Sequence, residues 1–367
     1  MAVCIVWGAV LLFVNESARQ GLFAWANGLF RETKTAVAES PTMKVAVNLL
    51  LFTTHLTPKH QPLLESLRGL GADGVEVPIL EGTPDHYGRM NEMIWNIWEE
   101  ESSISAVTMT SKEADMSSPN RKVRDRGVTV FKKKVDCAVA LGSEALVGPF
   151  SSPWALWPKD RAGRDLSGER LVEEMEKRLQ LAVPCLQEVA DYACARSVAL
   201  CTEYLNPWEL PYLNTIGQCT WLSRLVNRAN FGILADTAHE AAGAGPKIFG
   251  KEIKKLTNAT PLRIHISAPV HRGDITESSI DWSMLSTLKA IGWNGTLTLE
   301  IFNAVAPFAQ GARLNRTSWT EAECLEMVER AIPFVKEKWE SASSTLFQSP
   351  GHTSRERDVF DPGFSIP

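Results

Sequence analysis

Eight short apolar runs, each followed by a longer amphipathic stretch, predict an α/β chain that closes into a single (β/α)8 barrel. Two features support closure. The alternation is strict over about 300 residues, which requires parallel strands joined by crossover helices. Eight units also favour a barrel over an open sheet and leave no stretch for a second domain. The expected organisation is a barrel at residues 43–340, with a non-core N-terminal extension at 1–42 and a flexible tail at 341–367.

The elements follow from local patterns. Residues 44–50 (KVAVNLL) read as the first strand, and 59–70 as a helix stopped by Gly71. Residues 74–79 (GVEVPI) are the second strand, 88–101 the second helix and 104–109 the third strand. A long helix at 119–141 leads into 145–149. A loop carrying Trp154, Trp157 and Pro158, suited to stacking on a sugar or packing the rim, precedes a helix at 168–196. The remaining strands are 198–203, 231–236, 262–266 and 295–300; their helices are 213–229, 246–256, 281–291 and 320–338.

Outside the barrel, residues 3–14 form a 12-residue apolar run, too short for a comfortable membrane span and not preceded by Lys or Arg. A cytoplasmic protein without a stable membrane span is the expectation; the alternative is export or anchoring through this run. Lys and Arg total 38 against 43 Asp and Glu, a net charge of −5. With a pI near 5.9 and no long basic stripe, a nucleic-acid partner is excluded. The densest basic run, from Arg121 to Lys134, reads as a solvated helix face. Seven Cys without paired spacing read as reduced, mostly buried thiols.

In such a barrel, chemistry sits where strands end and βα loops begin. Four consecutive strands end in metal-ligand types: Glu203, Asp236, His265 and Glu300. Their separations of 33, 29 and 35 residues are about one βα unit each, so all four converge on one side of the mouth. Two Glu, one Asp and one His make an oxygen-rich site suited to one divalent cation, Mn²⁺ above Co²⁺ or Mg²⁺. His239, three residues past the Asp, can reach an oxygen on a metal-bound ligand; Glu209 sits in the loop over the mouth; Arg272 can hold a hydroxyl or enediolate oxygen. A cation on two neighbouring oxygens of a ketose eases deprotonation of the adjacent carbon. If Glu203 and Glu300 lie on opposite faces, one removes the proton and the other returns it, inverting the centre.

Several motifs, namely Glu203 with Leu205, Asn206, Glu209 and Leu213-Asn214-Thr215, then Asp236-Thr237-x-His239, His265, Ile280-Asp281-Trp282 and the run from Gly295 to Glu300, resemble the ketose 3-epimerases of the D-tagatose/D-allulose 3-epimerase type. Gly74-Val75-Glu76-Val77-Pro78 and Gly148-Pro149-Phe150 also look like that family's early strands. The resemblance covers about residues 43–338 and implies a xylose-isomerase-like TIM barrel with an isomerase activity on free ketoses. It implies Glu203 and Glu300 as the catalytic pair and as metal ligands, and Asp236 and His265 as the remaining ligands. It implies Glu209, His239 and Arg272 as substrate-binding residues, and a homo-oligomer, dimer or tetramer. The family's substrate-binding Arg falls six residues after the metal His; here that position is His271, and Arg272 follows. Pro207 stands where family members usually carry Arg.

The expected substrate pairs are D-allulose with D-fructose or D-tagatose with D-sorbose. The same enediolate could instead expel a leaving group, as in a keto-inositol dehydratase or a 3-keto-glycoside lyase, or serve a hydroxypyruvate isomerase. A DNA-repair endonuclease on this barrel needs a larger His-rich cluster and a basic face, which seven His and the acidic pI do not supply.

Overall fold

The computed structural model describes residues 43–99, 102–243, 245, 248–256, 260–269, 272–277, 279–303 and 318–343. Eight parallel strands close into a barrel in chain order: β1 (Lys44–Asn48), β2 (Gly74–Pro78), β3 (Ser103–Val107), β4 (Ala145–Gly148), β5 (Ala199–Glu203), β6 (Phe231–Asp236), β7 (Leu262–Ile266) and β8 (Thr296–Leu299). β8 returns to β1 with Val45 opposite Leu297 and Val47 opposite Leu299, which removes the unpaired edges of an open sheet. The outer helices are α1 (Gln61–Gly69), α2 (Pro84–Trp98), α3 (Arg121–Ala140), α4 (Gly168–Cys194), α5 (Ile216–Val226), α6 (Thr237–Ala242), α7 (Phe249–Lys254), α8 (Ser283–Ala290) and α9 (Glu321–Ser341). The predicted extension at 1–42 lies outside the described residues, as does the tail from 344 onward.

Successive side chains of a strand point to opposite faces, and the two phases here carry different chemistry. One phase, including Val45, Val75, Leu146, Ile233, Ile264 and Leu297, is fully buried in the main apolar cluster with the helices. Burying each such side chain contributes roughly 1.5–3 kcal/mol. The opposite phase lines the interior and divides in two. On the β3–β6 side, Val107, Ala145, Val147, Cys201 and Leu234 form a separate small apolar cluster. On the β7–β2 side the inward phase carries polar residues, His265, Thr298, Asn48 and Glu76, all buried. Glu203, Asp236 and Glu300 share this inward phase, so the pleat turns all of them into the mouth.

Gly148 ends β4 at φ +121°, and a Cβ there would stand 2.1 Å from the carbonyl oxygen of Thr108. Only glycine allows β3 and β4 to approach so closely before the loop that contributes Pro149 to the mouth.

The predicted elements are all present, with shifts at their ends. The second helix begins at Pro84, four residues before its predicted start, because Thr83 caps it and Pro84 takes the first turn, where its missing N–H costs nothing. α6 was not expected; six residues are too few to display a helical period. The basic run of α3 is also only partly a solvated face. Lys134 turns inward and donates to Thr108 Oγ1 and to the Met109 carbonyl, each at 2.7 Å, and burial pulls its amine down to about 8. Four of the six described cysteines are buried, and all six are free thiols.

Candidate metal and catalytic centre

Glu203 and Asp236 are the last residues of β5 and β6, His265 lies near the end of β7, and Glu300 immediately follows β8. Asp236 pairs with His265 in register, and the Glu300 amide donates to the Ile266 carbonyl at 2.9 Å, so ladder hydrogen bonds hold these positions together. One ligand atom from each of the four lies within 4.8 Å of every other, and none of the four is more than 4% exposed. The sequence expectation that these four converge is met.

Such a cluster of like charges is costly unless something positive joins it. Burial, with the Glu300 carboxylate opposite, pushes the Glu203 carboxyl up to about 7, against the pull of His239. Burial would likewise raise Asp236, but Arg272 and the two histidines hold it well below the usual carboxylate range. For His265 burial opposes the charged form, while Glu76 and Glu300 raise the ring well above 6.5. Glu203 Oε1 and both ring nitrogens of His265 are buried without a well-aligned hydrogen-bond partner. Three carboxylates and one imidazole gathered within 4.8 Å, with unpartnered atoms on Glu203 and His265, fit an oxygen-preferring divalent cation.

The remaining predicted residues come to the same place. The Asp236 side chain caps α6, accepting from the Ala238 and His239 amides at 2.8 Å, and so directs His239 into the mouth. His239 Nε2 lies 3.4 Å from Glu203 Oε1, and Nδ1 lies 3.7 Å from Glu209 Oε2. Burial disfavours a charged ring, while Asp236 and Glu203 favour one and raise it overall. The Asn206 amide donates to Nδ1 at 3.0 Å; that nitrogen must offer a lone pair, which puts the proton of the neutral ring on Nε2, facing Glu203. Glu209 is buried and accepts from Asn206 Nδ2 at 2.7 Å.

Arg272 has the left-handed φ of +51° and is 3% exposed. Its Nη1 donates to Asp236 Oδ1 at 3.1 Å, its Nη2 donates to Glu300 Oε2, and its guanidinium stands 5.0 Å above the Phe302 ring. His271 lies outside the described residues.

Five of these groups line a cleft open to solvent. Glu203, Glu209, His239, Arg272 and Glu300 form its polar side, and Leu50, Leu80, Met109, Trp154 and Phe302 its apolar side. The Trp154 loop is stitched to the Glu209 loop by the Ala155 amide, which donates to the Glu209 carbonyl at 2.9 Å. Trp157 does not line the cleft.

Sequence reasoning missed several participants. Ser267 donates to Asp236 Oδ2 at 2.6 Å, and Asn206 organises both His239 and Glu209. Glu76 lies 2.8 Å from His265 Nε2. Its signal was present: a carboxylate between Val75 and Val77 in a strand that buries every residue.

Comparisons with known proteins agree with the barrel fold. The profile of the family described as xylose isomerase-like TIM barrel matches residues 64–322. The chain is similar to a ketose 3-epimerase of Arthrobacter globiformis, 25% identical over 305 residues that cover 81% of this chain and 96% of that protein. Among solved structures, an L-ribulose 3-epimerase superposes with a TM-score of 0.71 at 20% identity, over 84% of this chain and 100% of the other. A D-allulose 3-epimerase from Methylomonas sp. in complex with D-allulose gives 0.68 at 19% identity, over 81% and 98%. At these identities the structural likeness is one of fold.

Proposed function

We propose that this chain, which belongs to the xylose isomerase-like TIM barrel family, is a divalent-metal-dependent ketose 3-epimerase whose catalytic domain is residues 43–340. The observation that carries the reading is the buried Glu203, Asp236, His265 and Glu300 group, within 4.8 Å, of which Glu203 and Glu300 line the cleft. Similarity to named ketose 3-epimerases supports the reaction class.

Glu203, Asp236, His265 and Glu300 would hold the cation, with Mn²⁺ proposed ahead of Co²⁺ or Mg²⁺. A divalent cation held there would supply the Lewis acidity that lowers the cost of forming an enediolate. Glu203 and Glu300 then act from opposite sides of the reacting carbon, one removing its proton and the other returning one to the far face. His239 Nε2–H and the Arg272 guanidinium supply donors for the substrate oxygens, and Glu209 accepts from a hydroxyl. The apolar side of the cleft suits an unphosphorylated sugar. Among the described cleft residues the only permanent cation is Arg272, already engaged by Asp236 and Glu300.

A panel of free ketoses, assayed by product chromatography with and without chelator, tests the reading. Interconversion of D-fructose with D-allulose, or of D-tagatose with D-sorbose, should disappear with chelator and return with Mn²⁺. Glu203→Gln and Glu300→Gln should each lower turnover by about 10²–10⁴-fold with the fold intact. Full activity in either variant would sink the mechanism. An unsaturated product without an epimer would assign elimination instead.

A further inference from the structure

The proposed ligand set leaves a buried carboxylate inside the barrel, Glu76, without a task. Glu76 is 1% exposed and comes from β2, on the far side of the interior from β5 and β6. A carboxylate inside a barrel costs several kcal/mol unless donors surround it. Here the two flanking strands supply them. Asn48 and Ser105 are the residues paired with Glu76 in register on β1 and β3. Asn48 Nδ2 donates to Glu76 Oε1 at 3.0 Å, and Ser105 Oγ donates to Oε2 at 2.8 Å. The orientation of the Asn48 amide is set independently, because its Oδ1 accepts the Leu50 amide at 2.9 Å and its Nδ2 must therefore face the carboxylates.

From this anchored position Glu76 Oε1 lies 2.8 Å from His265 Nε2, while Nδ1 of the same ring lies 3.1 Å from Glu300 Oε1. Asn48 Nδ2 also donates to Glu300 Oε1 at 3.2 Å. One rigid frame thus reaches both the imidazole and a carboxylate of the candidate centre.

The geometry points to Glu76 as the positioning residue of this centre: its carboxylate stands against the Nε2 side of the His265 ring at ion-pair distance, leaving Nδ1 on the side of Glu300, and through Asn48 it ties Glu300 to the same anchor. A carboxylate behind a ligating imidazole fixes its tautomer and raises its basicity, and losing such a partner typically weakens metal binding about 10–100-fold. Glu76 does not line the cleft, so it acts on the metal and not on the sugar. The inference rests on the metal-centre reading above.

The test is calorimetric titration of the chelator-stripped full-length protein with Mn²⁺, for wild type, Glu76→Gln and Ser105→Ala. Each variant's metal-free melting temperature and its kcat and KM for the turned-over ketose are measured alongside. Glu76→Gln keeps the shape and loses the charge. It should weaken Mn²⁺ binding about 10–100-fold and lower kcat, with KM and the metal-free melting temperature near wild type. Mn²⁺ affinity equal to wild type in Glu76→Gln overturns the inference while leaving the metal centre standing. Absence of Mn²⁺ binding by wild type overturns both. Should Glu76→Gln fail to fold, Ser105→Ala decides: a smaller loss of affinity supports the assignment, and none refutes it.

Discussion

Arg272 shows how much of a site one residue can organise. Its left-handed backbone costs on the order of 1–3 kcal/mol for a residue with a side chain. Charge-assisted bonds to Asp236 and Glu300 and the Phe302 face offset that cost. A lysine keeps the charge but cannot span both carboxylates as the planar fork does. Arg272→Lys should therefore lower kcat/KM for the turned-over ketose by about 10–100-fold, the worth of one or two bonds to charged groups. Unchanged steady-state kinetics would remove Arg272 from the site. The four candidate ligands were legible in the sequence because residue type and strand-end spacing both identify them. Glu76 and Asn48 were not, since a polar residue inside a strand announces its burial but not which strand faces it across the interior.

The β7–α8 connection shows the same logic one level up. Two residues past Arg272, Asp274 accepts from the Thr276 amide at 2.9 Å and hydroxyl at 2.6 Å, and pairs with Arg330 of α9 at 2.5 Å. These contacts pin the loop that carries Arg272 to the final helix. Burial alone would raise the Asp274 carboxyl, but Thr276 and Arg330 lower it below its ordinary 3.8. A carboxyl with a depressed folded-state value adds stability that is fully present above its unfolded value and is lost as pH falls through the folded one. Asp274→Asn should therefore unfold at lower urea than wild type at pH 7, by about 1 kcal/mol or less, since Arg330 is half exposed. That gap should close below about pH 4; a gap independent of pH would rule out the ionic contribution. The strands were legible to within a residue or two because their apolar runs are dense. The helix starts were less so, and α6 arises from Asp236 capping it, a contact that hydrophobic periodicity does not register.

At the scale of the whole molecule, barrel closure gathers residues from positions 48 to 300 into one buried acidic point, and a bound cation should stabilise the assembled barrel. At 100 times its dissociation constant, Mn²⁺ should add about 2.7 kcal/mol. Melting temperature should then rise on the order of 5 °C over chelator-treated protein. Scanning calorimetry with and without Mn²⁺ checks this, and coincident curves would argue against a metal centre. Among the described residues no helix is long and apolar enough to cross a membrane. The sequence by itself determined the eight-unit alternation, the parallel barrel that follows from it, and the four ligand types in phase at consecutive strand ends. Those are properties of spacing along the chain, which local periodicity records. Only the tertiary structure decided that Glu76 and Asn48 back His265 and Glu300, that Asn206 sets the His239 tautomer, and that Arg272 bridges Asp236 and Glu300. The longest of those contacts, Asn48 with Glu300, joins residues 252 positions apart and exists only once β8 has closed against β1.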